Sequence, residues 1–382
     1  MEQNETSMNE RVKIEYSEFT GSKGIREYQL MIHALSKEEL FEKQLLDILD
    51  AYEEWCSNHG VQRVIPVFMR FFLSDSANQY EILNSRIAGK MGCAVSIVQQ
   101  PPLDGSKIAL WVYLQSDVAV KELSSGLFEV SHGSYRHYWS GTAHSAVGDS
   151  EEQMTLLFNE YVTKLEAEGC TLADNCIRTW LFVQNVDVNY GGVVKARNEV
   201  FARENLTSHT HFIASTGING RYADSKVCVL MDTYGSKGLQ KQQINYLYAK
   251  SHLNPTYEYG VSFERGTYVD YGDRRHVFIS GTASINNKGE VMYLGDIKRQ
   301  SGRMLENVEA LLKEADCNFD DVQQIIVYLR DVTDYSFVHK LFSARFPGKP
   351  KVIVHAPVCR PGWLIEMECI AMKAVETSYP EF

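Results

Sequence analysis

Val277-Phe278-Ile279-Ser280-Gly281-Thr282-Ala283-Ser284 has a counterpart upstream in Tyr138-Trp139-Ser140-Gly141-Thr142-Ala143-His144-Ser145. Each is an apolar strand that runs into Ser-Gly-Thr-Ala, and a repeat of this kind decides how the rest of the chain is read. Both copies lead through an acidic linker into a segment with helical spacing. Met304, Val308, Leu311, Leu312 and Ala315 share one face in the later copy. Met154, Leu157, Phe158, Tyr161 and Leu165 do so in the earlier one. Each helix closes on a turn that carries a cysteine, Cys170 or Cys317. A strand follows (residues 179–186 against 326–332), then a second helix (193–203 against 335–345). Tyr190 and Tyr335 occupy matching places, as do Phe201 and Phe342. Closing strands are expected at 227–231 and 364–370.

A fainter third copy lies upstream, with a helix at 37–57, a strand at 64–73, a short helix to Ile87, and strands at 95–98 and 108–114. The order is strand, strand, helix, strand, helix, strand, strand in all three. A unit of about 120 residues built this way covers one sheet face with its own helices and leaves the other bare. Three bare faces packed together bury one another. The expected fold is therefore α/β (α+β), one unit repeated three times as a cyclic trimer within a single chain. Its units span 10–124, 125–255 and 256–382, and such a chain is expected to be a monomer. The competing reading is two unrelated α/β domains with an extension.

Composition agrees with a folded globular chain. In 382 residues 44% are hydrophobic, 23% charged and only 9 are proline, enough for a substantial core. Residues 1–9 and those beyond 375 read as untethered ends. A net charge of -11 with dispersed basic residues disfavours nucleic acid, while a few convergent cations still suit a small anionic substrate. The 8 cysteines form no Cys-x-x-Cys and lack companion histidines at zinc spacing. No metal or organic cofactor is expected. Cys228 and Cys369 sit in apolar runs and read as buried, reduced thiols. Without an apolar leader or a bilayer-length run, the chain reads as cytoplasmic with no membrane partner.

The last unit resembles the Rid family (YjgF, L-PSP endoribonuclease). The residues that carry this are Ser280-Gly281-Thr282-Ala283, the run 304–312, Asp320-Asp321-Val322, Val327-Tyr328-Leu329-Arg330-Asp331 and Ile365-Glu366-Met367-Glu368-Cys369-Ile370-Ala371. The resemblance implies the chorismate-mutase-like fold, with pockets between neighbouring units. The three-unit chain is similar to chorismatases, chorismate-hydrolysing enzymes built from Rid-like units. Supporting stretches are 98–103, 214–221, 259–266 and 358–366.

Chorismate is a dianion with an enolpyruvyl ether. Its hydrolysis needs a proton delivered to the methylene carbon, and water or an internal hydroxyl then traps the oxocarbenium. A carboxyl on an apolar strand suits that task, because burial keeps it protonated. Glu366, between Ile365 and Met367, has this setting and matches the family's glutamate. Glu368 shares its face by strand alternation and reads as structural. Two carboxylates call for arginine, and the candidates are Arg265 and Arg221, the latter placed in unit two as Arg360 is in unit three. Cys359 shapes the pocket rather than attacking, since vinyl-ether hydrolysis needs no nucleophilic thiol. The resemblance further implies that Gly266 with Cys359 marks the branch giving 3-hydroxybenzoate rather than a dihydroxycyclohexadiene acid. It also places Tyr190, Arg197 and Asn198 at chorismatase positions. A Rid-type imine deaminase is the first rival. It uses an arginine on the strand before the glutamate, where this sequence has Lys351, a point charge without a fork. Ribonuclease activity is disfavoured by the net charge. A non-catalytic ligand-binding protein is the third alternative.

Overall fold

Each strand–helix repeat closes into its own six-stranded sheet. The computed structural model describes residues 3–8, 10–21, 24–58, 64–124 and 126–382. Unit one contains β1 (Gln3–Met8), β2 (Val12–Thr20), β3 (Arg26–Ala34), α1 (Phe41–Asn58), β4 (Val64–Leu73), α2 (Ser76–Ile87), β5 (Ala94–Gln99) and β6 (Ile108–Ser116). Unit two contains β7 (Ala119–Ser124), β8 (Leu127–His132), β9 (Tyr135–His144), α3 (Ser150–Ala167), a short α4 (Leu172–Asn175), β10 (Cys176–Val183), α5 (Val186–Arg203), β11 (Ala214–Asn219) and β12 (Val229–Lys237). Unit three contains β13 (Ile244–Leu247), β14 (Gly266–Asp270), β15 (Arg274–Ala283), α6 (Ile297–Glu314), β16 (Val322–Leu329), α7 (Tyr335–Arg345), β17 (Lys351–His355) and β18 (Ile365–Ala374). Local chemistry sets the helix starts. Asp149 and Glu152 form a capping box on α3, and Asp296 caps α6.

The strand order repeats as β1-β2-β3-β6-β4-β5, β7-β8-β9-β12-β10-β11 and β13-β14-β15-β18-β16-β17. The expected order of elements is present in every unit, with one extra edge strand before each. β7 and β13 precede positions 125 and 256, yet they hydrogen-bond forward into the second and third sheets. Both ends are tied down, contrary to expectation. β1 pairs with β2 from Gln3 to Met8. Positions 1, 2 and 9 lie outside the described residues. At the other end Phe382 is buried against His276 and His132, with ring centroids 4.5 Å away from each. An aromatic ring has enough apolar area to anchor a tail that forms no regular element.

The bare faces meet at the centre. Phe68 and Trp111 of unit one pack on Trp139 and Trp180 of unit two. Phe278 of unit three joins through Tyr234 at 5.3 Å. Each seam carries a buried ion pair: Arg70–Asp232 at 2.8 Å between units one and two, Arg178–Glu368 at 2.9 Å between two and three, and Arg274–Glu27 at 2.6 Å between three and one. The seams also share a strand-edge contact. The backbone N–H of Ile97 on β5 donates to Thr142 on β9, and that of Gly281 on β15 to Thr216 on β11. Leu103 beyond β5 donates to the Ile353 carbonyl of β17. The ring is closed, and each seam opens outward into a cleft.

All 8 cysteines are free thiols. Cys369 is buried as expected, whereas Cys228 is half-exposed at the mouth of β12. Among the described residues no helix is long and apolar enough to cross a membrane.

Candidate active site

The cleft between units two and three surrounds Glu366. A bulge in β15 between Ile279 and Thr282 sets Ala283 opposite Glu366 on β18. The bulge also lays Gly281 beneath the carboxyl. A Cβ at 281 would stand 2.1 Å from Glu366 Oε1, so glycine there gives the carboxyl its room. The cleft holds about 520 Å³ of empty space, its open mouth included. Unit two supplies Tyr190, Arg197, Ser215 and Gly217. Unit three supplies Val261, Phe263, Arg265, Cys359, Arg360, Trp363 and Glu366. That mix of apolar wall with a few polar groups is typical of a small-molecule site.

Glu366 is only 5% exposed. Burial, and next the Glu368 carboxylate, push its pKa up to about 8, against the opposing pull of Arg265 and Arg178. Glu368 has a different environment on the same strand. It accepts from Arg178 Nη2 at 2.9 Å, Trp180 Nε1 at 2.8 Å and the Thr216 hydroxyl. With its oxygens saturated by donors, Glu368 is a seam carboxylate. Glu366 is the one that holds a proton near neutrality.

The cations are arranged around an aromatic spacer. Arg265 lies 5.4 Å from the Phe263 ring and Arg197 5.9 Å from the same ring. Arg265 is braced by Nη2 bonds to the carbonyl and side-chain oxygens of Asn254, at 3.1 and 3.2 Å. Arg197 is 1% exposed, and its Nε and Nη2 have no hydrogen-bond partner. Buried guanidinium donors left unmet beside a cavity are matched to an anion. Arg360 stacks 5.0 Å over Trp363 on the facing wall. Tyr190 closes over Gly217, where a Cβ would come within 2.8 Å of its ring. Burial and then Glu366 push the Cys359 thiol up to about 12, so it is neutral and not a nucleophile.

Four of the seven site residues expected from sequence converge here: Glu366, Arg265, Cys359 and Tyr190. Three do not line this cavity. Gly266 points into its own sheet, where a Cβ would meet Leu247 and the Phe278 carbonyl at 3.0 Å, because strand alternation turns it away when Arg265 faces the cavity. Arg221 bridges to Gln99 across the seam between units one and two. Lys351 lies on the seam between units three and one, bound to Glu15 at 2.7 Å. Asn198 donates to the Gly260 carbonyl at 3.0 Å, beside the cavity. Asn254 carried no sequence signal, being a loop residue that braces Arg265 from eleven positions upstream in the same unit, and Ser215 reaches the cavity through the packing of unit two on unit three.

The family profile described as Endoribonuclease L-PSP matches residues 263–373. A RutC family protein of Pyrococcus abyssi is 36% identical over 99 residues, which cover 25% of this chain and 78% of that protein. A RutC family protein of Pyrococcus horikoshii is 35% identical over 99 residues, covering 25% and 79%. The crystal structure of a chorismatase superimposes with a TM-score of 0.64 over 80% of this chain and 93% of that one. At 16% identity this is a likeness of fold, and it extends through all three units.

Proposed function

This chain belongs to the RutC family, the endoribonuclease L-PSP proteins, and from that premise we propose that its Glu366 cavity hydrolyses the enolpyruvyl ether of chorismate. The observation that carries this reading is one buried carboxyl, its pKa pushed up by burial, sharing a cavity with three guanidiniums, those of Arg197, Arg265 and Arg360. One acid and several forks suit a dianion whose reaction begins with protonation of carbon. Glu366 delivers its proton to the methylene carbon. The resulting oxocarbenium takes water (or an internal hydroxyl), and with water the hemiketal breaks the bond between its own carbon and the ether oxygen, which stays on the ring. Pyruvate leaves, the ring oxygen takes a proton, and the ring departs as a hydroxybenzoate or a dihydroxycyclohexadiene acid. One water is consumed when the ring leaves as the dihydroxycyclohexadiene acid. Loss of water from that ring to give a hydroxybenzoate returns it, so that route consumes none; no cofactor enters. Arg265 and Arg197 hold the two carboxylates, Tyr190 and Phe263 flank the ring, and Cys359 shapes the wall.

The imine-deaminase reading fits less well. Ser215 pairs with Thr179 in β11 as Lys351 pairs with Ile325 in β17, so the Glu366 cavity has a serine where that chemistry calls for an arginine. We place the reaction in the cytoplasm, in a monomer, a reading supported by the free thiols and by a site whose two walls belong to one chain. The test is pyruvate release from chorismate by the purified protein, followed with lactate dehydrogenase. Stoichiometric pyruvate is expected, and its absence at saturating chorismate would overturn the reading.

A second expectation concerns Gly281. In Gly281→Ala the new methyl displaces the Glu366 carboxyl, and a shift of about 1 Å in a catalytic group lowers turnover by roughly a hundredfold. The fall is expected in kcat, with KM little altered, because the arginines stay in place. Unchanged kcat would mean that Glu366 needs no fixed position.

A further inference from the structure

The cleft between units three and one is larger than the Glu366 cavity, at about 990 Å³. Its chemistry is inverted relative to that cavity. Phe72 pairs with Ala109 as Tyr328 pairs with Glu366, so alanine replaces the acid. Lys351 replaces Ser215. On β2, Glu15 pairs with Met31, which places it where Arg265 precedes β14. The proton donor is gone, and the polar groups that replace it are of another kind.

Lys13, Lys37 and Lys351 line this cleft against Glu15 and Asp104, giving a local excess of positive charge in a chain of net charge -11. Glu15 is 2% exposed, and its Oε1 accepts from Lys13 and Lys351 at 2.6 and 2.7 Å. Its Oε2 is buried and has no hydrogen-bond partner, the nearest ionisable group being His33, whose Nε2 is 3.9 Å away. A buried carboxylate oxygen without a donor, on a cavity wall, marks the place of a ligand donor. An ammonium there would crowd the two lysines on Oε1, so a neutral hydroxyl fits better. Lys37, exposed at the rim and bonded to the Asp104 carbonyl, retains donors for a carboxylate. Phe342 and Ile353 supply an apolar floor.

We propose that this second cleft is a non-catalytic binding site for a hydroxy-substituted ring carboxylic acid, with the hydroxyl on Glu15 and the carboxylate on Lys13 and Lys37. The site stands apart from the hydrolase reading, since it shares no residue with the Glu366 cavity.

The experiment is calorimetric titration of the full chain with 3-hydroxybenzoate at pH 7. A saturable component is expected that weakens about tenfold with benzoate, which lacks the donor. It weakens by a similar factor in Glu15→Gln and in Lys37→Gln, and is unchanged in Arg265→Gln. Thermal melting checks that the variants are folded, and Lys37, being exposed, keeps the test decisive if Glu15→Gln unfolds. Binding that follows only Arg265→Gln, or no saturable binding, would overturn the site. The pyruvate assay reads the other cavity independently, so either reading can fail alone.

Discussion

Glu366→Gln is expected to lower pyruvate release by about a thousandfold while leaving chorismate binding largely intact, a loss within the range of general acid catalysis. Glutamine keeps the volume above Gly281 but has no proton to give. The wild-type pH profile should carry the signature of the same group. With its pKa raised to about 8, Glu366 is in its acid form below that pH. Turnover is therefore flat near neutrality and falls tenfold per unit above about 8. Stability has a matching sign. The unfolded chain loses this proton near the ordinary glutamate range, the folded chain only near 8, so the contribution of Glu366 to stability is lost as pH rises through that window. Glu366→Gln should consequently resist urea better than the wild type at pH 9, with the difference vanishing at pH 4. A variant that loses both activity and stability would identify Glu366 as a packing residue instead.

Arg70→Met should cost roughly 4 kcal/mol of unfolding free energy, the usual consequence of removing one partner from a buried ion pair. Arg70 and Asp232 are both fully buried on the seam between units one and two. The guanidinium also lies within 4.9 to 5.4 Å of the rings of Phe182, Trp180, Trp111 and Phe68. Methionine fills that aromatic cage but leaves the Asp232 carboxylate with only the Thr142 backbone N–H and no cation. The double variant Arg70→Met/Asp232→Asn removes the stranded charge and should recover more than half of the loss. Urea titration of the two variants measures this. A single variant within about 1 kcal/mol of the wild type would show that the charge is hydrated or neutralised in the folded chain.

The repeat and the acid were legible because both are local. Ser-Gly-Thr-Ala before a helix, and Glu366 between Ile365 and Met367, need only strand alternation and helical spacing. The edge strands were not. Ala119–Ser124 half-buries only Val120 and Leu123, which fall on opposite faces, and β1 has Met8 as its one apolar residue, so neither has an apolar face to announce it. The arginines show where intra-unit reasoning stops. Arg221 and Arg360 occupy parallel places in their own units, but each unit leans on a different neighbour. The loop of Arg360 covers unit two, where Val358 bridges to Ile218, and that of Arg221 meets unit one. Arg197 reaches the cavity from α5 of unit two, a helix whose spacing reads as ordinary packing and on which only the family resemblance marked Tyr190, Arg197 and Asn198. Positions that depend on how one unit turns against the next leave no trace in a spacing pattern.

The buried pair on every seam and the shared aromatic centre have a further consequence for dilution. A ring assembled from separate subunits falls apart as its concentration drops, and a cavity walled by two subunits disappears with it. Here the second and third walls are tethered by the few residues between β12 and β13, so each meets the other at an effective concentration set by the tether. Enzyme assayed at picomolar levels should have the same specific activity as at micromolar levels.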